Sequence, residues 1–356
     1  MAQQPNGLVK HYAALSQLAG AADGDAAWPA ASLELLEQVG GLRWCIPKAY
    51  GGAGYEGKQL LEAYERLGRA CLTTCFILSQ RDAAARRIRE CGSEALCREL
   101  LPSLADGKCF ATVGLSHLTT SRLHLTPPLG AEDHGDHFVI NGYMPWVTGA
   151  GHAEFILTGA VLGDGRQILV VLPSRTDGVH IEPPLELMAL AGSNTAEVRC
   201  EKVRLERKWL LAGPVERVLA QGRGAGGLET SCLALGLAAA AIDYLSQEAA
   251  ARAGLKSSAQ RLQQAADVLR QDIHKAAGGG ASPEQAITLR ARANALVLRA
   301  TQAALTASKG AGFLRQHPAQ RWARQSLFFL VWSCPAPAAE ATLAYLTPAD
   351  SLECSL

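Results

Sequence analysis

The sequence predicts an α+β fold in which a central β domain lies between two helical domains. Apolar residues recur at helical spacing from residue 7 to about residue 105, and again beyond Gly213. Between these regions, from Cys109 to about Leu211, apolar and polar residues alternate and turn signals recur, as is typical of strands. We therefore predict three parts: an N-terminal helical domain over residues 1–108, a central β-barrel or sandwich domain over 109–212, and a C-terminal four-helix bundle over 213–356.

The composition fits a globular protein and excludes several classes of function. With 356 residues, of which 48% are hydrophobic and 19% charged, the chain is long enough for two or three packed parts. The 34 Lys and Arg residues nearly balance the 33 Asp and Glu residues, so we expect no binding to nucleic acid or to an anionic membrane. The N-terminus does not resemble a signal peptide, and no apolar run reaches the roughly 18 residues of a membrane span. We expect a cytoplasmic protein.

The ten cysteines indicate a reduced interior. They are scattered through apolar segments, with no Cys-x-x-Cys pair and no zinc-ligand spacing. Cys71 and Cys75 lie one helical turn apart, where packing is favoured over a two-ligand metal site. The stretch His134-Gly-Asp-His137 is predicted to be a solvated turn between strands rather than a metal site. We therefore predict no metal.

The N-terminal domain is predicted from two helical runs. Leu33 to Leu42 forms the first, Leu60 to Ala83 contains the second, and both place apolar residues on one face. The glycines of Ile46–Gly54 interrupt this pattern because they free the backbone, so a loop is predicted there.

A hairpin is predicted at the centre of the β domain. Phe138–Ile140 is an apolar β-forming run, Asn141-Gly142 is a strong two-residue hairpin signal, and Trp146–Thr148 resumes the strand. Residues two apart in a strand share a face, so Trp146 and Thr148 are predicted to point to the same side. Taken alone, this pair indicates a core Trp beside a β-branched neighbour. A second hairpin turn is predicted at Gly163–Gly165.

The C-terminal domain is predicted to be a helical bundle. Leu233–Leu245 is apolar nearly all round, as expected of a buried helix. An amphipathic helix follows over about 259–277, and the next begins after the linker 278–283 with Ser282 as its N-cap. That helix is predicted to end near residue 308, and two shorter helices are predicted after Pro318 and Pro337.

Several of these segments resemble the acyl-CoA dehydrogenase family. Ile140 to Thr148 matches the family's Asn-Gly, three residues, Trp-Ile-Thr pattern without a gap, and Ile46–Gly54 matches its glycine-rich loop. The resemblance implies the three-part fold and an FAD cofactor. It also implies that Trp146 lies against the isoalloxazine ring and that Thr148 bonds to the flavin N5 edge. An indole is a flat apolar wall, and a hydroxyl can donate a hydrogen bond to such an atom.

Two further matches lie in the predicted bundle. Arg252 and Gln263 fall at the separation of the family's Arg and Gln, where the Arg would pair with the FAD diphosphate of a neighbouring subunit; a surface arginine is the alternative. Lys309 to Arg324 aligns with the family's glycine-rich segment, so Gly310 and Gly312 would let the backbone approach the adenosine part of FAD. Gln325 stands in place of the family's Asp. The resemblance thus implies a homodimer or homotetramer.

The general base departs from the family pattern. The slot of the usual catalytic glutamate falls on Ser333, whose hydroxyl has too high a pKa to act as a base without a partner. A second slot, used by some family members, falls on Gly226. Glu229 lies one helical turn further along and is the candidate base. Alternatively, a Glu in the first turn of a helix interacts favourably with the helix dipole.

The predicted cofactor loop departs as well. Gly114 to Ser121 replaces the family's Thr-Glu-Pro-x-Ala-Gly-Ser-Asp. His117 and Arg122 would bring positive or switchable charge near the cofactor. Hydroxyl groups able to donate to FAD remain on Ser116, Thr119, Thr120 and Ser121. A surface loop rich in Ser and Thr is the alternative interpretation.

Three functions follow from these observations. The first is an FAD-dependent oxidoreductase that dehydrogenates an acyl-CoA thioester at its α and β carbons, with hydride transfer to flavin N5. The second is a flavin-dependent monooxygenase or oxidase on the same fold, which needs no α-proton abstraction. The third is a non-catalytic subunit that has kept the fold. We favour the first because the resemblance covers the fold and much of the flavin site, although fold alone does not supply function.

Overall fold

The computed structural model describes residues 5–118, 129–220, 228–332 and 336–347. The order of its elements is helical, then β, then helical, as the sequence predicts.

Five helices form the N-terminal part within residues 5–118. Their apolar faces share one core, in which Leu36, Tyr64, Leu67 and Leu104 are fully buried. The predicted loop at residues 46–54 folds back tightly on Ile46, and a Cβ on Gly52 would lie only 1.8 Å from the Ile46 carbonyl oxygen. The helices are α1 (Pro5–Gly24), α2 (Ala30–Gln38), α3 (Gly57–Ala70), α4 (Leu72–Cys91) and α5 (Glu94–Ala105).

The central part is one eight-stranded mixed sheet. Seven of its strands follow each other as hydrogen-bonded neighbours in the order β6-β7-β3-β2-β4-β5-β8. The eighth, β1, pairs in parallel with β4. Phe138 of β3, Ile168 of β5 and Val198 of β7 lie in one apolar cluster, although their strands occupy different positions in the sheet. The strands are β1 (Ala111–Gly114), β2 (Leu129–Asp133), β3 (His137–Val147), β4 (Phe155–Leu162), β5 (Gln167–Pro173), β6 (Val179–Ile181), β7 (Ala196–Glu206) and β8 (Leu210–Val215).

The predicted hairpin at Asn141-Gly142 is wrong. The strand β3 runs through both residues, because β2 and β7 pair with it on either side and together hold it extended. The Asn-Gly pair instead faces a bulge in β7, where Lys202 has a φ of 52° and donates its N–H to Asn141 Oδ1 at 2.7 Å. The second predicted turn is confirmed, since Leu162 donates its N–H to Arg166 O at 2.7 Å across Gly163–Gly165.

The stretch from His134 to His137 lies at the turn between β2 and β3, as predicted. The two imidazole rings stack with centroids 5.0 Å apart, and His137 Nδ1 is 2.6 Å from Asp136 Oδ1. Within the described ranges, no group of three or more His, Cys, Asp or Glu side chains has the geometry of a metal site. The eight cysteines in those ranges are free thiols, most of them buried.

Three long helices and two short ones form the C-terminal bundle. The central helix α6 packs against α3, α7 and α8. It is long and apolar enough to cross a membrane, but 83% of its most apolar 18-residue stretch is buried inside the protein. Close packing with α3 requires a glycine, because a Cβ on Gly236 would lie 2.4 Å from Glu65 O. The helices are α6 (Leu228–Ala251), α7 (Lys256–Gly279), α8 (Pro283–Ser308), α9 (Pro318–Val331) and α10 (Ala336–Leu346).

Candidate functional site

Trp146 lies near the end of β3 and turns its indole outward. Between Met144 and Val147 the register with β7 shifts, so β3 gains one residue and both of these side chains point into the sheet's apolar core. The side chain of Trp146 between them is left 54% exposed. The alternative of a core Trp is therefore excluded, and the indole offers a flat apolar face to a ligand.

Thr148 has a different environment from Trp146. It is 4% exposed and lies just past the end of β3, so the strand alternation that predicted a shared face does not extend to it. Its Oγ1 is 3.3 Å from Thr195 Oγ1, which is 2.9 Å from Ser193 Oγ. If Ser193 donates to Thr195 and Thr195 donates to Thr148, the Thr148 hydroxyl keeps its own proton for another acceptor.

The start of the predicted cofactor loop is a short 3-10 turn, Ser116–Leu118. Ser116 is exposed, but His117 is only 2% exposed, and its Nε2 lies 2.7 Å from Gly159 O. Burial lowers the pKa of His117 below its ordinary value of 6.5. Burial therefore disfavours the positive form of the ring, whereas positive or switchable charge was expected of His117 near a cofactor. Thr119, Thr120, Ser121 and Arg122 lie outside the described residues.

The predicted residues of the bundle form a second group. Arg252 follows α6 and donates from Nη2 to Ala307 O at 2.6 Å and to the Glu248 carboxylate, which brings it to the last turn of α8. Space is open around Gly310, whereas a Cβ on Gly312 would lie 2.6 Å from Ser308 Cβ. Packing of the chain against α8 is therefore sufficient reason for a glycine at 312.

Gln263 is exposed on α7 and donates from Nε2 to Asp267 Oδ1 at 2.9 Å. In the described part of the chain, no hydrogen bond joins it to Arg252 or Gly310.

Glu229, the candidate base, is held by an arginine that sequence reasoning missed. It lies in the first turn of α6, and its Oε1 is 3.0 Å from Arg86 Nη1 on α4. Burial alone would lower the pKa of Arg86, but nearby negative charge, chiefly that of Glu229, raises it above its ordinary range. The pair joins residues far apart in the sequence, so no local pattern marks it. The other two positions considered for the base, Gly226 and Ser333, lie outside the described residues.

A buried polar network beside this pair was also missed. Tyr64 donates its hydroxyl to Asp82 Oδ2 at 2.8 Å, and Arg81 Nη1 is 2.8 Å from Asp82 Oδ1. Burial, followed by the charge of Asp82, raises the pKa of Tyr64 well above its ordinary value. Arg81 and Asp82 interrupt the buried face of α4, and that break in an apolar face was the available signal.

A cleft of about 330 Å³ lies where α2 and α4 meet the segments before β1 and β4. Its wall includes Trp28 and His152, whose rings stack with centroids 4.2 Å apart. None of the predicted site residues that the structure describes lines this cleft.

Comparison with known proteins identifies the family. Residues 12–108 match the model of the acyl-CoA dehydrogenase N-terminal domain. A probable acyl-CoA dehydrogenase of Bacillus subtilis is 27% identical over 321 residues, a match that covers 84% of each chain. Both matches are to acyl-CoA dehydrogenases, and they support membership of that family.

Solved structures in this family share the fold. A glutaryl-coenzyme A dehydrogenase complex with glutaryl-CoA superposes with a TM-score of 0.83 at 18% identity, covering 97% of this chain and 96% of that one. An acyl-CoA dehydrogenase of Bacillus anthracis complexed with FAD superposes with a TM-score of 0.77 at 17% identity, covering 92% of this chain and 63% of that one. At these identities the likeness establishes the acyl-CoA dehydrogenase fold for this chain, and the chemistry has to come from its own residues.

Proposed function

We propose that this chain is an FAD-dependent oxidoreductase that dehydrogenates an acyl-CoA thioester. The observation that carries the proposal is the indole of Trp146, which is 54% exposed at the end of β3 where the family resemblance expects the flavin ring. A large aromatic ring left exposed near the end of an inner strand fits a site for a planar ligand.

The donors around this position fit FAD. If Ser193 donates to Thr195 and Thr195 donates to Thr148, the Thr148 hydroxyl keeps a proton for the flavin N5 edge. Ser116 is exposed at the start of the cofactor loop. Arg252 uses Nη2 in its internal hydrogen bonds, so its other guanidinium N–H groups are available for a diphosphate. When bound, FAD would supply the acceptor for the hydride removed from the substrate.

Glu229 is the proposed general base for the proton on the α carbon. Its carboxylate is held in an ion pair with Arg86. Glu229 would need to turn from Arg86 towards the substrate to come within hydrogen-bond reach of that proton.

The ion pair also favours a second candidate, a flavin-dependent oxidase or monooxygenase. Such an enzyme does not require abstraction of an α proton, and a carboxylate fixed by Arg86 suits it better than a mobile base. A non-catalytic subunit is the remaining alternative, and it would take up no FAD.

A homodimer or homotetramer is part of the proposal. Phe313 is 85% exposed next to Gly312, and Leu314 beside it is exposed as well. Apolar side chains so open to water favour contact with another copy of the chain. In that arrangement Arg252 and Gly310 would serve the cofactor of the neighbouring subunit, as the resemblance implies. We place the assembly in the cytoplasm.

Anaerobic reduction distinguishes the candidates. Purified protein reconstituted with FAD is mixed with saturated acyl-CoA thioesters of increasing chain length. The absorbance of the oxidised flavin is followed at ~450 nm. Bleaching by an acyl-CoA supports the dehydrogenase. Stable absorbance with every thioester, together with oxygen consumption by chemically reduced protein, would support the oxidase or monooxygenase in place of the dehydrogenase. Protein that takes up no FAD would contradict both.

A further inference from the structure

The imidazole of His117 is a buried group whose hydrogen bonds are half complete. Its Nε2 lies 2.7 Å from the Gly159 carbonyl oxygen of β4. A carbonyl can only accept, so in the neutral ring Nε2 carries the proton and Nδ1 is an acceptor. Nδ1 is fully buried and has no hydrogen-bond partner among the described residues. An acceptor left unpaired in the interior costs free energy, which a donor from a ligand would recover.

The turn that carries His117 is clamped to β4. A Cβ on Gly159 would lie 2.4 Å from Leu118 Cδ1 and 3.0 Å from Ile168 O, so the turn rests directly on the glycine. At the end of β1, Thr158 donates its hydroxyl to Gly114 O at 2.7 Å. These contacts fix where the chain leaves the sheet and enters the segment with Thr119, Thr120 and Ser121.

The same turn is joined to the strand of Trp146. The end of β1 packs against β3 so closely that a Cβ on Gly114 would lie 2.9 Å from Met144 Sδ and 3.0 Å from Val147 Cγ2. Met144 and Val147 are the two core residues on either side of the exposed indole of Trp146. The unpaired acceptor therefore belongs to a turn that is packed against the strand expected to face the flavin.

We propose that His117 is a positioning residue that holds the turn Ser116–Leu118 on β4 and accepts, at Nδ1, a hydrogen bond from an N–H or O–H group of bound FAD. This inference rests on the proposed function, because it needs FAD as the ligand. It differs from the expectation based on sequence, in which His117 brought charge to the cofactor.

The first test measures FAD affinity from the quenching of flavin fluorescence. His117→Phe removes both hydrogen bonds, and His117→Gln keeps a donor for Gly159 while removing the acceptor at the Nδ1 position. We expect FAD affinity to fall at least about tenfold in His117→Phe and by a smaller factor in His117→Gln. The control is His180→Gln, at an exposed histidine on β6, and it should bind FAD as the wild type does.

The second test observes the His117 ring of the wild-type protein directly. In protein labelled with ¹⁵N at histidine, the free wild type should show His117 as a neutral ring protonated at Nε2. Addition of FAD should shift the Nδ1 signal in the direction that accompanies acceptance of a hydrogen bond. Assignment comes from the signal that disappears in His117→Gln, so the result stands even if His117→Phe does not fold.

The outcomes separate the inference from the proposed function. Wild-type protein that binds no FAD overturns both. Wild-type protein that binds FAD with an unmoved Nδ1 signal, or with the same affinity as a folded His117→Phe variant, overturns the role of His117 alone. A shifted Nδ1 signal together with weakened binding in the variants supports it.

Discussion

Arg86 of α4 and Glu229 of α6 form an ion pair across the junction of the N-terminal helices and the C-terminal bundle, with Arg86 Nη1 3.0 Å from Glu229 Oε1. The carboxylate proposed as the base is therefore also part of the packing between two parts of the fold. Its loss should affect both stability and chemistry, and the two effects can be measured separately.

The contribution of this pair to stability is accessible from a double-mutant cycle. Arg86→Gln and Glu229→Gln should each lower the free energy of unfolding by about 2 kcal/mol, between the values for exposed and fully buried pairs. The double variant should lose less than the sum, because neither partner is then left charged and unpaired. Urea unfolding at neutral pH measures all four proteins. Additive losses would mean that the pair contributes no coupling.

The chemical role of Glu229 is tested by the rate at which an acyl-CoA bleaches the bound flavin. A positioned general base typically contributes about 10²-fold or more, so Glu229→Gln should slow bleaching at least that much while still binding FAD. Glu99→Gln, an exposed carboxylate on α5, is the matched control. An unchanged rate in Glu229→Gln would remove Glu229 as the base.

A second contact joins all three parts of the fold. Asp23 at the end of α1 is 1% exposed, and its carboxylate accepts hydrogen bonds from Leu190 N at 2.8 Å, Arg324 Nη2 at 2.7 Å and Gln325 Nε2 at 2.9 Å. Arg324 and Gln325 occupy the place of the family's Arg-Asp pair, and here they act in packing.

Substitution of Asp23 should therefore weaken the whole structure. Asp23→Asn leaves Arg324 without its charged partner, and we expect the free energy of unfolding to fall by about 3 kcal/mol. Asp25→Asn, two residues along and exposed, should change it by less than about 0.5 kcal/mol. Thermal or urea unfolding compares them. Equal effects of the two substitutions would contradict this role.

His117 should make stability depend on pH. Burial lowers its pKa in the folded protein below the ordinary value of 6.5, so the unfolded chain binds a proton first as the pH falls. The free energy of unfolding contributed by this group is thus present above pH 6.5 and is lost progressively below it. Urea unfolding is measured at pH 7.5 and at pH 5, which lie on either side of roughly pH 6.5. Between these two pH values, the free energy of unfolding should fall more for the wild type than for His117→Gln. Equal losses would contradict the buried neutral ring.

The order of the domains and most helices could be predicted from the sequence, because they depend on local periodicity. The helix predicted over about 259–277 is Lys256–Gly279, and Ser282 caps α8 as expected, accepting from Gln285 N at 3.2 Å. The prediction of a turn at Asn141-Gly142 was wrong because the pairing of β3 with β2 and β7 outweighs a local turn preference.

The site was predicted less well, because its geometry depends on contacts between distant segments. The outward position of Trp146 follows from a register shift against β7, which no pattern within β3 reveals. Arg86, Asp23 and Gly159 act on residues far from them in the chain, so their roles could not be read from spacing. His117 was predicted as a residue of the cofactor loop, but its burial disfavours the positive charge expected of it.

The most direct test of the account is an FAD titration of the wild type and of Trp146→Ala, followed by flavin absorbance and tryptophan fluorescence. Loss of the exposed indole should weaken FAD binding about tenfold, the effect of one lost ring contact. Trp209→Phe, in the 3-10 turn between β7 and β8, is the control and should bind FAD normally. The account is supported if the wild type acquires the flavin spectrum and, of the two variants, only Trp146→Ala binds FAD more weakly. Wild-type protein that stays colourless with FAD, or a Trp146→Ala variant that binds FAD equally well, would contradict it.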